Sequence, residues 1–406
     1  GDLAVELMPP NLLLLDLLNY LSSTEILKNL ELEQSENLFL LGMGKAAPAL
    51  CVALKKKYKF NESLVLGNDI GGHPYMNQGS LLNGQRLSEF VKRIPKEAHL
   101  VVALTGGASA MVDIIHPYFK NLTSEYFEIQ KEIVLAGISI EQMNKMRKSL
   151  SQLKNGGLFK FSGTQSIETI VISDTPEKNL SDVGSGPTVY SQLNLEELRE
   201  IGKIVLDEKL CKLYFDYLNL HEKELVRDVR HHTFKVIADY SIACKKMKEY
   251  QWHKNLNILL DPLSLSLNEG VEFLISKSRG SWVFSGGEFT VKVKSREHGQ
   301  GGRNQHLVLE FARRIFFLNE LELNEKQLKQ CYIVSIGSDG IDGNTEVAGA
   351  YFDFSRLQKA KELGLEPESF LELFDSHTFL QKVEALIKTA ATDTNIMDLR
   401  LSFIPN

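Results

Sequence analysis

With 406 residues, 43% of them hydrophobic and 24% charged, the chain is too long for one core of ordinary size and too apolar to be disordered, so two globular domains are expected. A formal charge of −6 excludes nucleic acid or a membrane surface as the main partner, because such contacts are built from clustered Lys and Arg. No apolar run reaches membrane-spanning length, and Cys51, Cys211, Cys244 and Cys331 are too scattered for a zinc or redox pair, which points to a soluble cytoplasmic protein with reduced thiols.

Gly1 in first place reads as a processed start and carries no functional weight. The leucines at 12–15 are interrupted by Asp16, and Lys55, Lys56 and Lys57 read as the solvated, dipole-complementing end of a helix. Further on, short β-branched or leucine-rich runs alternate with amphipathic stretches, the pattern of repeated βα units and a parallel sheet. Strands are expected at 37–41, 63–68, 99–105 and 168–173, then at 233–238, 256–260, 281–285, 289–294, 331–336 and 398–404. Helix starts are marked by Ser139 with Gln142 and by Asn194 with Glu197. Residues 191–230 read as two helices without a strand between them, which places a domain boundary near 230 and domains at 1–230 and 231–406. Gly286-Gly287 reads as a hairpin turn between two strands, so the second sheet is expected to be mixed.

Ligands of open α/β sheets lie beyond the carboxyl ends of the strands, so the glycine-rich loops there are the candidate sites. The first is Gly42-Met43-Gly44-Lys45-Ala46-Ala47, where small residues admit an anion to backbone N–H groups and Lys45 adds a full charge. The same spacing fits the dinucleotide fingerprint Gly-x-Gly-x-x-Ala, with Asp69 as a late ribose ligand, and keeps a nicotinamide enzyme open. His73 follows Gly71-Gly72 and is either a cleft residue or a turn histidine. Next comes Thr105-Gly106-Gly107-Ala108-Ser109-Ala110, a phosphate cradle by composition; Met111 stands where a nucleophile elbow needs glycine, and Ser109 is alternatively a helix cap. Ser173-Asp174 and Ser185-Gly186-Pro187-Thr188 supply polar groups suited to a phosphate or a metal, with Asp174 as readily a turn residue.

In the second half, His298-Gly299-Gln300-Gly301-Gly302-Arg303-Asn304-Gln305 leads into a helix, and the Arg303 guanidinium suits phosphate or carboxylate. Asp339 and Asp342, set among glycines after a strand, form either an oxygen site for Mg²⁺ or a pair of Asp-Gly turns. His231-His232 reads as surface.

Taken in order, Gly44-Lys45-Ala46-Ala47, Gly72-His73-Pro74, Met146-Arg147-Lys148-Ser149-Leu150-Ser151, Ser185-Gly186-Pro187-Thr188, Gly301-Gly302-Arg303-Asn304-Gln305 and Asp339-Gly340-Ile341-Asp342-Gly343 give a chain that resembles, over nearly its whole length, the glycerate kinases that form 2-phosphoglycerate and carry a C-terminal MOFRL domain. The resemblance implies two Rossmann-like three-layer α/β/α domains with an interdomain active site, ATP and Mg²⁺ as cofactors, glycerate as substrate, and a monomer or homodimer. It implies catalytic roles for Lys45 and Arg303 and substrate contacts at Gly44, His73 and Arg147. Nucleotide contacts are implied at Gly106, Gly107, Ser109, Ser173, Asp174, Gly186, Thr188 and Asn304, and metal contacts at Asp339 and Asp342. Some relatives in this family are labelled hydroxypyruvate reductase, which keeps reduction by NAD(P)H as the alternative, beside a noncatalytic ligand-binding protein.

This sequence departs from the family pattern at Ala108, at Met76-Asn77, at Thr175-Pro176-Glu177-Lys178 and at Ala390-Ala391-Thr392-Asp393. Added Cβ atoms and the Asp393 carboxylate imply crowding or repulsion of a phosphate, and with it altered substrate choice or weakened activity.

Overall fold

The computed structural model describes residues 8–33, 35–67, 70–72, 74–164, 166–174, 182–222, 232–291, 299–389, 392 and 394–406. They form two compact units, Leu27–Ile237 and the pair of segments Gly1–Ile26 with Ala238–Asn406. The first of these is called here the first unit, the other the second unit.

The first unit is built on β1 (Leu38–Met43), β2 (Glu62–Leu66), β3 (His99–Thr105), β4 (Ser166–Ile172) and β5 (His232–Ala238), ordered β2-β1-β3-β4-β5. The ladders joining β2, β1, β3 and β4 are all parallel. β1 and β3 are buried along their whole length, as expected of a parallel sheet covered on both faces. Phe39, Leu41 and Met43, with Leu100, Val102 and Leu104, pack with Leu87, Phe90 and Val91 of the helix Gln78–Arg93. On the other face, a Cβ on Gly42 would stand 2.4 Å from Cys51 Sγ, so this glycine lets the helix Ala47–Lys57 lie close on β1. The helices Thr123–Leu135, Ile140–Leu150, Leu195–Val205 and Glu208–His221 bury a separate cluster around Tyr126, Met146, Ile201 and Tyr214.

The second unit carries β6 (Leu256–Ile258), β7 (Trp282–Gly287), β8 (Tyr332–Gly337), β9 (Gly349–Phe352), β10 (Leu386–Ile387) and β11 (Asp398–Phe403), ordered β10-β9-β8-β11-β7-β6. Only β6 and β7 run parallel among these ladders, so the sheet is mixed as expected. The helix Arg303–Ala312 presses Val308, Phe311 and Ala312 onto Ile333, Ala350 and Phe352.

Three features differ from the sequence reading. Residues 8–26 belong to the second unit: the helix Pro10–Tyr20 buries Leu13, Leu14, Leu17 and Leu18, while Tyr332 Oη donates to Asn11 Oδ1 and Tyr250 Oη to Asp16 Oδ2. The strand His232–Ala238 joins the first sheet, which moves the division of the chain from 230 to 237. Gly286-Gly287 is no hairpin turn, because β7 runs through it, with both glycines paired to β11, and of the expected strand 289–294 the described part contributes one bridge, Thr290 to Ser266. Those glycines are required by neighbours: a Cβ on Gly286 would meet the Tyr240 ring at 2.2 Å, and one on Gly287 the Leu263 carbonyl at 2.1 Å. Among the described residues no helix is long and apolar enough to cross a membrane.

Candidate active site

In the first unit, β1 and β3 are neighbours whose following connections leave in opposite directions, so their carboxyl ends form the switch point of the sheet. Here Gly44 adopts φ +115°, and a Cβ on it would lie 2.3 Å from the Thr105 carbonyl. The loop is sewn to its neighbours: Gly44 N donates to Leu66 O, Lys45 N to Gly106 O at 2.9 Å and Ala46 N to Thr105 Oγ1 at 3.1 Å. These amides are therefore not the anion cradle that the spacing suggested. The loop offers the Lys45 ammonium instead, on an exposed side chain with no ion pair among the described residues.

The β3 loop is organised the other way. Gly107, at φ +84°, turns the chain into the short helix Ala108–Met111, and the amides of Gly107, Ala108 and Ser109 have no hydrogen-bond acceptor among the described residues. Gly107 holds the cap position, so Ser109 is not the N-cap. Its hydroxyl instead lies 2.8 Å from Ser185 Oγ, which donates to Asn144 Oδ1 at 2.8 Å. The Asp174 carboxylate stands directly over Gly106, where a Cβ would be 1.8 Å from Oδ2. Lys45, Gly44, Gly106, Gly107, Ser109 and Asp174 are thus brought to one edge of the sheet, and Ser173 is buried beside them at the end of β4.

Other expected residues do structural work. Thr188 is fully buried and accepts from Thr169 Oγ1 at 2.9 Å, and Gly186, at φ +64°, accepts at its carbonyl from Gly156 N at 2.7 Å. His73 lies outside the described residues, as do Asp69 and His231. Asn77, a departure from the family pattern, caps the helix Gln78–Arg93 through a capping box with Ser80.

Behind the loops lies a polar network. Arg147 has no hydrogen bond among the described residues, its Nε is buried without a partner, and burial lowers its pKa against the pull of Asp113. Lys154 Nζ lies 2.9 Å from Asp113 Oδ1, and both side chains are buried. Burial lowers the Lys154 pKa, with Asp113 opposing. Asp113 also accepts from Tyr126 Oη at 2.5 Å and from Ser151 Oγ. The sequence reading missed Asp113, Asn144 and Lys154. Lys154 was findable, because it precedes Gly156-Gly157 much as Lys45 adjoins Gly44; Asp113 sits in an apolar run and shows no local signal.

In the second unit, the glycines before Arg303 make room for neighbouring side chains. A Cβ on Gly299 would meet Asp375 Cβ at 2.3 Å, one on Gly301 would meet Ser376 Oγ at 2.4 Å, and one on Gly302 would meet Asp342 Cγ at 2.3 Å. Asp342 is buried at the start of the helix Arg303–Ala312 and accepts from Asn304 N (3.0 Å), Asn304 Nδ2 (3.2 Å), Gln305 N (2.8 Å) and Gln305 Nε2 (3.0 Å). Burial raises its pKa against those bonds. With its acceptor positions taken, Asp342 does not fit a Mg²⁺ site, and Asn304, whose Oδ1 accepts from Ser335 Oγ, is locked into the same network. Asp339 Oδ1 accepts from Ile341 N in an Asp-Gly turn, and no group of three or more metal-type side chains occurs among the described residues. Arg303 is ion-paired: Nε donates to Asp398 Oδ2 at 2.6 Å, and Nη2 to Asp398 Oδ1 at 3.0 Å and Glu288 Oε1 at 2.7 Å. Burial pulls its pKa down, but the two carboxylates outweigh that and raise it. Residues 390, 391 and 393, where crowding was expected, lie outside the described residues.

A family profile described as "Domain of unknown function (DUF4147)" matches residues 2–212, and one described as "MOFRL family" matches residues 281–398. The chain is 29% identical over 336 residues to the glycerate 2-kinase of Sulfurisphaera tokodaii, covering 80% of this chain and 76% of that protein. It is 26% identical over 397 residues to a putative hydroxypyruvate reductase of Agrobacterium vitis, covering 90% and 98%. The crystal structure of glycerate kinase from Thermotoga maritima superposes with a TM-score of 0.72 at 23% identity over 97% of this chain and 99% of that one, which shows a common fold.

Proposed function

The chain belongs to the DUF4147 family, and on that premise we propose that it is a kinase that transfers the γ-phosphoryl group of ATP to the C2 hydroxyl of glycerate, forming 2-phosphoglycerate. The observation that carries the reading is the meeting, at one sheet edge, of the Lys45 ammonium with the amides of Gly107, Ala108 and Ser109, the first without an ion pair and the others without an acceptor among the described residues. Phosphoryl transfer asks little of a protein beyond positioning and neutralising charge on the transferred group, and such a site supplies both. In this reading the amides hold a phosphate of ATP and Lys45 neutralises the transferred group. Arg147, which has no hydrogen bond among the described residues, takes the carboxylate of glycerate. Gly44 lies beside Lys45, and the resemblance assigns a substrate role to His73 and a catalytic role to Arg303. Asp174, rather than Asp339 or Asp342, is the carboxylate suited to Mg²⁺, which when bound would screen the charge of the phosphate oxygens.

Reduction by NAD(P)H draws on the name of the Agrobacterium relative. Its residue-level support was the fingerprint at Gly42 and Gly44, and the loop amides there are already bonded within the protein. Free thiols at Cys51, Cys211, Cys244 and Cys331 accord with a cytoplasmic enzyme, which is proposed together with a monomeric or homodimeric state.

One assay separates the readings. Purified protein receives glycerate with Mg-ATP, or hydroxypyruvate with NADH or NADPH, while ADP and nicotinamide absorbance are followed. Glycerate-dependent ADP is the expected result. Nicotinamide consumption without ADP would establish the reductase, and silence in both arms the noncatalytic protein.

A further inference from the structure

Arg303 is gripped by two carboxylates of opposite character. Asp398, 1% exposed at the start of β11, takes Nε and Nη2 as a bidentate pair. Glu288, just beyond β7, has a side chain 46% exposed and, among the described residues, makes one hydrogen bond, to Nη2. Behind Asp398 stands Arg400, itself 1% exposed, with Nη2 at 3.3 Å from Asp398 Oδ2 and 2.7 Å from the Gly287 carbonyl, and its guanidinium 4.1 Å from the centre of the Phe289 ring.

Two guanidiniums and two carboxylates leave this cluster with no net charge, so as it stands it does not draw an anion. Only one member can leave at small cost. Withdrawing Asp398 would strand a buried charge beside Arg400, whereas an exposed carboxylate held by a single contact exchanges readily with water. Beside Arg303 lies a cavity of about 210 Å³ whose lining includes Gly301, Gly302, His306 and Phe374, with room for an oxyanion. His306 adds no charge of its own, since burial lowers its pKa.

We propose that Glu288 is a built-in stand-in for the ligand, occupying the outer face of Arg303 until a phosphate or carboxylate oxyanion displaces it, and that Asp398 is the positioning residue that keeps the guanidinium aimed. Displacement leaves the cluster with one net positive charge and opens Nη1 and Nη2 to a planar oxyanion contact. The identity of the anion as part of ATP or glycerate rests on the kinase reading; the exchange itself does not.

The test uses the whole protein with Glu288→Gln, Glu288→Asp and Asp398→Asn. Calorimetry reads inorganic phosphate and glycerate separately, and kinetics reads KM for Mg-ATP and for glycerate. Glu288→Gln is expected to tighten one of the two anions, and to lower the corresponding KM, by about three- to fivefold, the effect carried by a partly exposed ion pair, with kcat within about twofold. Whichever anion tightens identifies the occupant. Glu288→Asp restores wild-type values, and Asp398→Asn weakens the same anion by on the order of tenfold or more. Weaker binding with lower kcat in Glu288→Gln, or no change in any anion affinity, would overturn the proposal. Glu288→Gln lies at the surface and decides the matter even where Asp398→Asn does not fold. A wild-type protein without kinase activity would sink the kinase reading alone, because phosphate affinity still reports the exchange.

Discussion

Lys45 and Arg303 look alike in sequence, each a cation adjoining glycines where a loop enters a helix, yet their surroundings are opposites. The Lys45 side chain is exposed and has no ion pair among the described residues, whereas Arg303 is locked between Asp398 and Glu288. The glycines also do different things from what their density suggests. Gly44, Gly299, Gly301 and Gly302 make room for neighbouring protein atoms, whereas Gly107 turns the chain so that the following amides have no acceptor among the described residues. Glycine beside a cation therefore signals close packing at least as often as ligand access, and the state of the nearby amides tells the two apart.

The contrast is sharpest in paired substitutions. Lys45→Ala is expected to cut turnover on the order of 10²-fold or more, since it removes a preorganised charge, and to leave urea stability within about 0.5 kcal/mol. Arg303→Ala is expected to lose turnover and also about 1–2 kcal/mol of stability, because buried Asp398 is left with Arg400 alone, a loss discounted for the partial exposure of Arg303. Equal destabilisation by both substitutions, or near-normal turnover in Lys45→Ala, would erase the distinction.

Asp342 offers the next largest effect. As the carboxylate that anchors the helix Arg303–Ala312, its replacement by Asn is expected to cost about 1–2 kcal/mol, read from tryptophan fluorescence, since both tryptophans, Trp252 and Trp282, lie in the second unit. A metal ligand would behave otherwise: stability would hold, and excess Mg²⁺ would rescue activity.

Acid acts on the two units in opposite senses. Burial acts to raise the pKa of Glu168, but hydrogen bonds from His99 and Lys235 and from the Glu33 amide prevail and bring it from 4.5 to about 2. The stability it lends the first unit is complete above its unfolded pKa and disappears as pH falls from 4.5 toward 2. Asp342 is raised above 3.8 by burial, so it favours the protonated fold, and the second unit gains as pH falls through that raised value, the gain being complete by about 3.8. Urea titrations at pH 6 and pH 3 should show Glu168→Gln flattening the acid loss of the first unit and Asp342→Asn removing the acid gain of the second. The same acid slope in both variants as in the wild type would contradict the assignment.

The sheet strands were largely legible, because β1, β3, β4 and β8 are mostly apolar runs bounded by turn residues and β11 alternates polar with apolar residues. β9 and β10 were not, being four and two residues long with no alternation to read. The allegiance of the helix Pro10–Tyr20 is a tertiary fact that no local pattern carries. Lys45, Gly107 and Asp174 could be read as candidate site residues because loops at strand ends are where α/β ligands sit. The Asp113–Lys154 pair and the Ser109–Ser185–Asn144 chain could not, since they join side chains distant in sequence. Asp342 was misjudged because a carboxylate beside glycine reads the same whether it faces a cation or the amides of a helix.

The central claim is tested most directly by phosphorus NMR of the product formed from glycerate and Mg-ATP. The account predicts a phosphomonoester on C2 of glycerate with the wild-type protein and almost none with Lys45→Ala. ATP left intact beside glycerate, with hydroxypyruvate reduced by the same preparation, would contradict it.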